Sequence, residues 1–259
     1  MPDSYKHTFR KKWGQNFLRD MNLLNRIVET VKIKPGDNVL EIGPGEGILT
    51  EKIINRAAEM AAIEIDPWLI VHLQNRSELN KCHFLQQDIL KSELFSLPIS
   101  KPVRIIGNIP YNITSPILFW LIDQREDWVD AHIMVQQEMA QRLAAPVGTK
   151  IYGRLTVMTR AYMDINICFS IAPEVFVPRP KVFSAIIRLN KKSRPLISEK
   201  YFSRFEKIVK AAFSQRRKML RNSLNGFGFY DTIQKEIDFT RRPETLSVEE
   251  FVHLAESSE

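Results

Sequence analysis

The chain has 259 residues, 44% of them hydrophobic and 26% charged, the make-up of one large globular domain or a main domain with a small appendage. Wholesale disorder and collagen-like or low-complexity chains are excluded. The longest strongly apolar run, residues 117–122, is far short of the roughly 20 residues that span a bilayer, so no membrane partner is expected.

Residues 1–15 are basic and polar with no apolar stretch, so no secretory signal is expected there. From residue 37 a regular alternation sets in. The pattern predicts a strand at 37–42, a helix at 48–57, a strand at 60–65, a helix at 67–75 and a strand at 82–86. A strand at 103–106 ends at Asn108, and a helix at 115–122 and a strand at 130–135 follow. Such spacing implies a parallel sheet covered on both faces, an α/β fold of Rossmann type.

After Tyr162 the alternation stops. Strands at 165–169 and 182–189 bracket a Pro-rich segment at 173–180 and are expected to pair antiparallel. Residues 191–195 form a polar, basic hinge, and helices are expected at 199–213, 215–224, 230–237 and 248–255. The predicted organisation is an α/β domain over 1–190 and a small helical domain over 191–259.

The formal net charge is +7, but fourteen basic residues lie between Arg179 and Arg221 against only Glu199 and Glu206. That stretch nets +12 and the remainder −5. A second cluster, Lys6, Arg10, Lys11, Lys12 and Arg19, sits near the start. Concentrated positive charge interleaved with Phe202, Phe205 and Phe213 suits a phosphate backbone and its bases. A solubilising face is the plainer alternative.

Cys82 and Cys168 match no metal spacing, and the five histidines form no cluster. Two free thiols in a reducing cytosol, and no metal, are expected.

Gly43, Gly45 and Gly47 join a strand to a helix start. Glycine lets backbone approach a ligand closely. The dinucleotide fingerprint needs its third glycine one residue later, and no Walker lysine follows, so NAD enzymes and nucleotide triphosphatases are disfavoured. Glu64, at the end of the next strand, can chelate a ribose diol, and Asp88, after the third, can accept from an adenine amino group. Together they outline an adenosine-bearing ligand without a pyrophosphate. The E-I-G-P-G-x-G pattern with these acids resembles the class I S-adenosylmethionine-dependent methyltransferases.

Asn108-Ile109-Pro110-Tyr111 follows the fourth strand. It resembles the N/D-x-P-Y/F/W motif of methyltransferases that modify exocyclic amino groups. Adenine's amino nitrogen is a poor nucleophile because its lone pair is delocalised. The Asn108 side-chain oxygen and the Ile109 carbonyl can hold both N–H groups and favour a tetrahedral nitrogen. Pro110 would fix the turn, and Tyr111 offers a stacking face for the base.

Four further segments make the likeness specific. KKWGQNFL at 11–18 is similar to the opening of the rRNA adenine N6,N6-dimethyltransferases, and FVPRPKVFS at 176–184 resembles their F-x-P-x-P-K-V-x-S segment. FSQRRKMLRN at 213–222 and RPETLSVEEF at 242–251 look like the C-terminal motifs of the KsgA branch. The likeness runs from Lys11 to the end, so no transit peptide is expected.

The resemblance implies dimethylation of two adjacent adenosines in the 3′-terminal hairpin loop of small-subunit (16S) rRNA. It also implies S-adenosylmethionine as methyl donor, a late role in small-subunit assembly and a cytoplasmic location; a monomer is expected. It assigns Asn16, Leu18, Gly43, Gly45, Glu64, Asp88 and Asn108 to the cofactor. Tyr111 and Phe176 would sandwich the target base, and Arg216, Arg217, Lys218 and Arg221 would contact RNA. The branch usually reads N-L-P-Y, whereas Erm enzymes, which act on large-subunit rRNA, commonly read N-I-P-Y. An Erm-type activity and a non-catalytic rRNA-binding assembly factor remain the alternatives.

Overall fold

The computed structural model describes residues 16–229 and 231–257. The basic residues Lys6, Arg10, Lys11 and Lys12, and the motif up to Gln15, lie outside the described residues. Nine strands are described: β1 (Phe17–Leu18), β2 (Asn38–Ile42), β3 (Glu59–Glu64), β4 (Cys82–Gln86), β5 (Val103–Asn108), β6 (Trp128–Gln136), β7 (Met163–Ile171), β8 (Phe176–Val177) and β9 (Ser184–Lys191).

Seven of them form one sheet in the order β4-β3-β2-β5-β6-β9-β7. The pairs β2–β3, β2–β5, β3–β4 and β5–β6 are all parallel, as the alternation predicts. Chain order reverses between β2 and β5, so their carboxyl ends splay apart into a crevice, the usual ligand position in an open α/β sheet. β9 and β7 are neighbours in the sheet. β1 and β8 form a separate antiparallel pair, with Leu18 opposite Phe176 and Phe17 opposite Val177.

The chain divides into two compact units, the first holding residues 1–137 and 168–188, the second 138–167 and 189–259. This differs from a single boundary at 190, because residues 138–167 group with the C-terminal helices. The reason lies in Arg154–Arg160, a helix in which Leu155, Thr156, Val157, Met158 and Thr159 are all buried. A short helix buried all round has no amphipathic stripe to reveal it.

In the first unit a helix at Met21–Val31, which the pattern reading passed over, buries Leu24, Ile27, Val28 and Val31. The Asp20 carboxylate accepts from the Leu23 N–H at its start, a regular N-cap. At its end the Arg104 guanidinium donates to the Val31 and Lys32 carbonyls and pairs with Asp37 and Asp130. One half-buried cation thus ties the helix to the sheet.

In the second unit the helix Glu199–Ser214 buries Phe205, Ile208, Val209 and Ala212. Phe213 packs against Tyr152 and Phe251, and Phe202 against Tyr162. Of the aromatics that interleave the basic run, Phe205 is therefore fully buried and Phe202 and Phe213 are half-buried against rings of this same unit. The expected helix at 215–224 shrinks to Leu220–Ser223, with Arg216, Arg217 and Lys218 in the preceding turn.

Candidate active site

Gly43 follows β2 directly, and its N–H donates to the Ile63 carbonyl at 2.9 Å. Gly43 and Gly45 have φ of +72° and +57°, a region that side-chain-bearing residues rarely adopt. A Cβ on Gly45 would fall 2.8 Å from the Phe17 ring, and one on Gly43 would meet the Asn108 carbonyl oxygen at 3.4 Å. The loop is thus a cradle of bare backbone facing the end of β5.

Glu64 closes β3 and is 6% exposed. Its carboxylate accepts from the N–H groups of Gly45, Ile65 and Asp66 at 3.3, 2.9 and 3.0 Å. Burial raises its pKa, and these three backbone donors oppose the rise. A carboxylate braced in this way keeps lone pairs for hydroxyl donors. Asp88 accepts from the Leu90 N–H at 3.1 Å and caps a short turn of helix, with a third of its side chain exposed.

Asn108 ends β5, and its Nδ2 donates to the Asn16 carbonyl at 3.0 Å. That bond commits the donor end of the amide and makes Oδ1 the end available to accept. Pro110 has φ −56° and ψ 136° and starts the turn that carries Tyr111. The Tyr111 hydroxyl lies 2.6 Å from Ser184 Oγ; burial raises the phenol pKa, and the serine opposes it.

Asn16, Leu18, Gly43, Gly45, Glu64, Asp88, Asn108, Ile109, Pro110 and Tyr111 all line one cleft in the first unit. Phe176 is not among the residues that line it. It is 2% exposed and packs with Leu18, Leu24 and Ile186 in the core. Stacking on a base would require it to leave that packing.

Three residues of this region escaped the sequence reading. Ser184 ends the FVPRPKVFS segment and Glu41 opens the E-I-G-P-G-x-G pattern, where neither letter by itself signals a role. Glu41 is 2% exposed, lines the cleft and accepts from the Thr50 hydroxyl at 2.6 Å. Burial, with some repulsion from Glu64, pushes its pKa up to about 7. His132 also lines the cleft at 2% exposure, and neither ring nitrogen has a hydrogen-bond partner. Burial pulls its pKa down to about 4 against the attraction of Asp130. Register explains the grouping: Glu41 pairs with Ile106, and Ile106 with His132, so all three point to one face of the sheet.

Of the basic candidates in the second unit, Arg217, Lys218 and Arg221 are exposed. Arg216 differs. Its guanidinium donates to the Thr149 carbonyl at 3.2 Å and lies 3.7 Å from Glu244, which makes it a tie within the unit. Both cysteines are unpaired, and burial raises both thiol pKa values. Among the described residues no cluster of acids, histidines and cysteines could hold a metal, and no helix is long and apolar enough to cross a membrane.

Residues 6–259 match the ribosomal RNA adenine dimethylase family. A protein of Saccharophagus degradans named ribosomal RNA small subunit methyltransferase A is 42% identical over 96% of this chain and 94% of its own length. A namesake in Dichelobacter nodosus is 40% identical over 95% and 94%. Among solved structures, a dimethyladenosine transferase from Plasmodium falciparum superposes with a TM-score of 0.79 at 27% identity, covering 92% of this chain and 95% of its own. The 23S rRNA methyltransferase ErmE gives 0.72 at 30%, covering 93% and 98%.

Proposed function

Because the chain belongs to the ribosomal RNA adenine dimethylase family, we propose that it methylates N6 of two adjacent adenosines in the 3′-terminal hairpin loop of small-subunit (16S) rRNA. Each would be methylated twice, late in small-subunit assembly, by a monomer working in the cytoplasm. The fold is that of the class I methyltransferases, and the activity is rRNA adenine dimethylation. The observation that carries the site assignment is the Asn108 amide, held by Asn16 at the mouth of the crevice beside the glycine loop.

The residues present fit S-adenosylmethionine: a backbone cradle without side chains at Gly43 and Gly45, and a buried, braced carboxylate at Glu64. Glu64 would take the ribose hydroxyls and Asp88 the adenine amino group, while Asn16 and Leu18 wall the pocket. When bound, the cofactor would supply an electrophilic methyl group on a sulfonium, the S–C electron pair staying on sulfur as a neutral thioether.

The chain's own work is to position and to stabilise. Asn108 Oδ1 and the Ile109 carbonyl accept the N6 hydrogens, two in the first transfer and one in the second, and turn the nitrogen's lone pair toward the methyl group. As the N–C bond forms, positive charge grows on nitrogen, and the same two acceptors face it. The alkylated amine is strongly acidic and gives its proton to water, so no strong base is needed. Pro110 fixes the turn, and Tyr111 stacks on the everted base. That contact offsets part of the few kcal/mol that eversion costs. Phe176 completes the stack in this proposal after turning out of the core, and Arg217, Lys218 and Arg221 contact phosphates.

Support for the small subunit comes from relatives at 40–42% identity that bear that name. Ile109, the Erm-like letter, contributes mainly its carbonyl. The test is transfer of labelled methyl to undermethylated small subunits and, separately, to large-subunit rRNA, with identification of the digested nucleosides. N6,N6-dimethyladenosine from the small subunit alone is expected. The same product from large-subunit rRNA alone would make the protein an Erm-type enzyme. Tight small-subunit binding without product would leave a non-catalytic assembly factor.

A further inference from the structure

Side chains alternate across a strand, and the start of β9 uses that alternation at the cleft. Ser184 is fully buried and bonds the Tyr111 hydroxyl. Phe183, one residue earlier, is 54% exposed, and Val182 beside it is 43% exposed. The backbone there is anchored, since the Phe183 carbonyl accepts from the Gln137 N–H at 2.9 Å. An aromatic ring is thus carried on fixed backbone one residue from the group that holds Tyr111. Lys181 is exposed in the same segment, as is Arg179, whose guanidinium pairs with Glu174 and would exchange that partner for a phosphate.

Single exposed apolar residues are common and need no function. This one differs in position and company. Moving an adenosine out of its strand leaves the neighbouring base without a stacking partner. The ring lies outside the cleft lining, on the other side of the strand from Ser184 but at the same strand end, and with Lys181 next to it it matches a base and its phosphate at the rim.

We infer that Phe183 is the stacking platform for the nucleotide next to the target adenosine, with Lys181 and Arg179 drawing in the intervening phosphate. The inference rests on the proposed function. There the two target adenosines are adjacent, so the base on Phe183 while one adenosine is in the cleft is the other member of the pair. The platform holds the strand's register and takes no part in the chemistry.

The test is steady-state methylation of undermethylated small subunits by Phe183→Ala, Phe183→Leu and Phe183→Trp, with cofactor affinity measured separately by calorimetry. The alanine and leucine variants are expected to raise the KM for subunits about tenfold, with kcat and cofactor affinity within twofold of the parent. Tryptophan is expected to restore the parent KM. A leucine variant equal to the parent would overturn the platform, because leucine keeps the apolar contact and loses only the ring face. So would an alanine variant that loses cofactor affinity, which would make the residue structural. A parent protein inert on small subunits would overturn the functional reading itself, and the platform with it.

Discussion

Asn108 Nδ2 donates to the main-chain carbonyl of Asn16 at 3.0 Å, across 92 positions of chain. A main-chain carbonyl can only accept, so the bond dictates which end of the amide is left for the substrate. The end left is the acceptor that an amino nucleophile requires.

Asn108→Ala removes that acceptor while leaving the phosphate-contacting surface intact. Methylation is expected to fall by about 10²–10³-fold in kcat, the usual cost of one preorganised group facing transition-state charge. Binding to undermethylated small subunits, measured by sedimentation, should survive. Retention of most activity would remove Asn108 from the acceptor role.

The Ser184–Tyr111 pair makes a second prediction. Ser184→Ala and Tyr111→Phe each break the same 2.6 Å hydrogen bond. Each should cost about 1 kcal/mol of stability in urea unfolding, and the double variant little more than either single one. Additive losses would mean that the two hydroxyls act on separate partners.

Glu41 and His132 load the fold with opposite pH dependences. Glu41 holds its proton up to about 7 in the folded state against a usual 4.5. Its contribution is full below pH 4.5, declines as pH rises and is gone above 7. His132 has a folded pKa of about 4 against a usual 6.5. Its contribution is full above pH 6.5 and is lost as pH falls toward 4. Between pH 4.5 and 6.5 the two slopes oppose each other. Relative to the parent, Glu41→Gln should make stability rise more steeply with pH in this window, and His132→Phe should make it fall. Each effect is at most about 3 kcal/mol, measured by urea unfolding from pH 4.5 to 7.5. Parallel profiles for parent and variants would sink the argument.

Exposed and tied cations in the second unit should separate cleanly. Lys218→Glu and Arg221→Glu are expected to weaken RNA binding and reduce its dependence on salt concentration, with thermal stability unchanged. Arg216→Ala is expected to cost about 1–3 kcal/mol of stability, because Glu244 Oε2 is buried without a hydrogen bond and Arg216 is its ion-pair partner. An unchanged salt slope for the first two variants would move the RNA surface elsewhere.

Much of the site was legible in one dimension because its chemistry is local. The glycine loop, the acids that end strands and the tetrapeptide after β5 each need only a few consecutive residues, and strand–helix alternation fixes the order in which they arrive. The sequence alone therefore determined the α/β class, the placing of Gly43, Glu64 and Asn108 at strand ends, and the motifs that carry the family likeness.

Tertiary structure decided the rest. The orientation of the Asn108 amide depends on a carbonyl 92 positions away, and the setting of Tyr111 on a serine 73 positions away. Glu41 and His132, with Ile106 between them, come to share the cleft wall only through the register of β2, β5 and β6. Phe176 and the phenylalanines of the basic run carry the same side chain as Phe183, yet most of them are packed and Phe183 is half open to water. The second unit takes residues 138–167 from the middle of the chain for the same reason. Burial and partnership are properties of what surrounds a residue in space, and strand pairing brings distant residues into contact that no local pattern records.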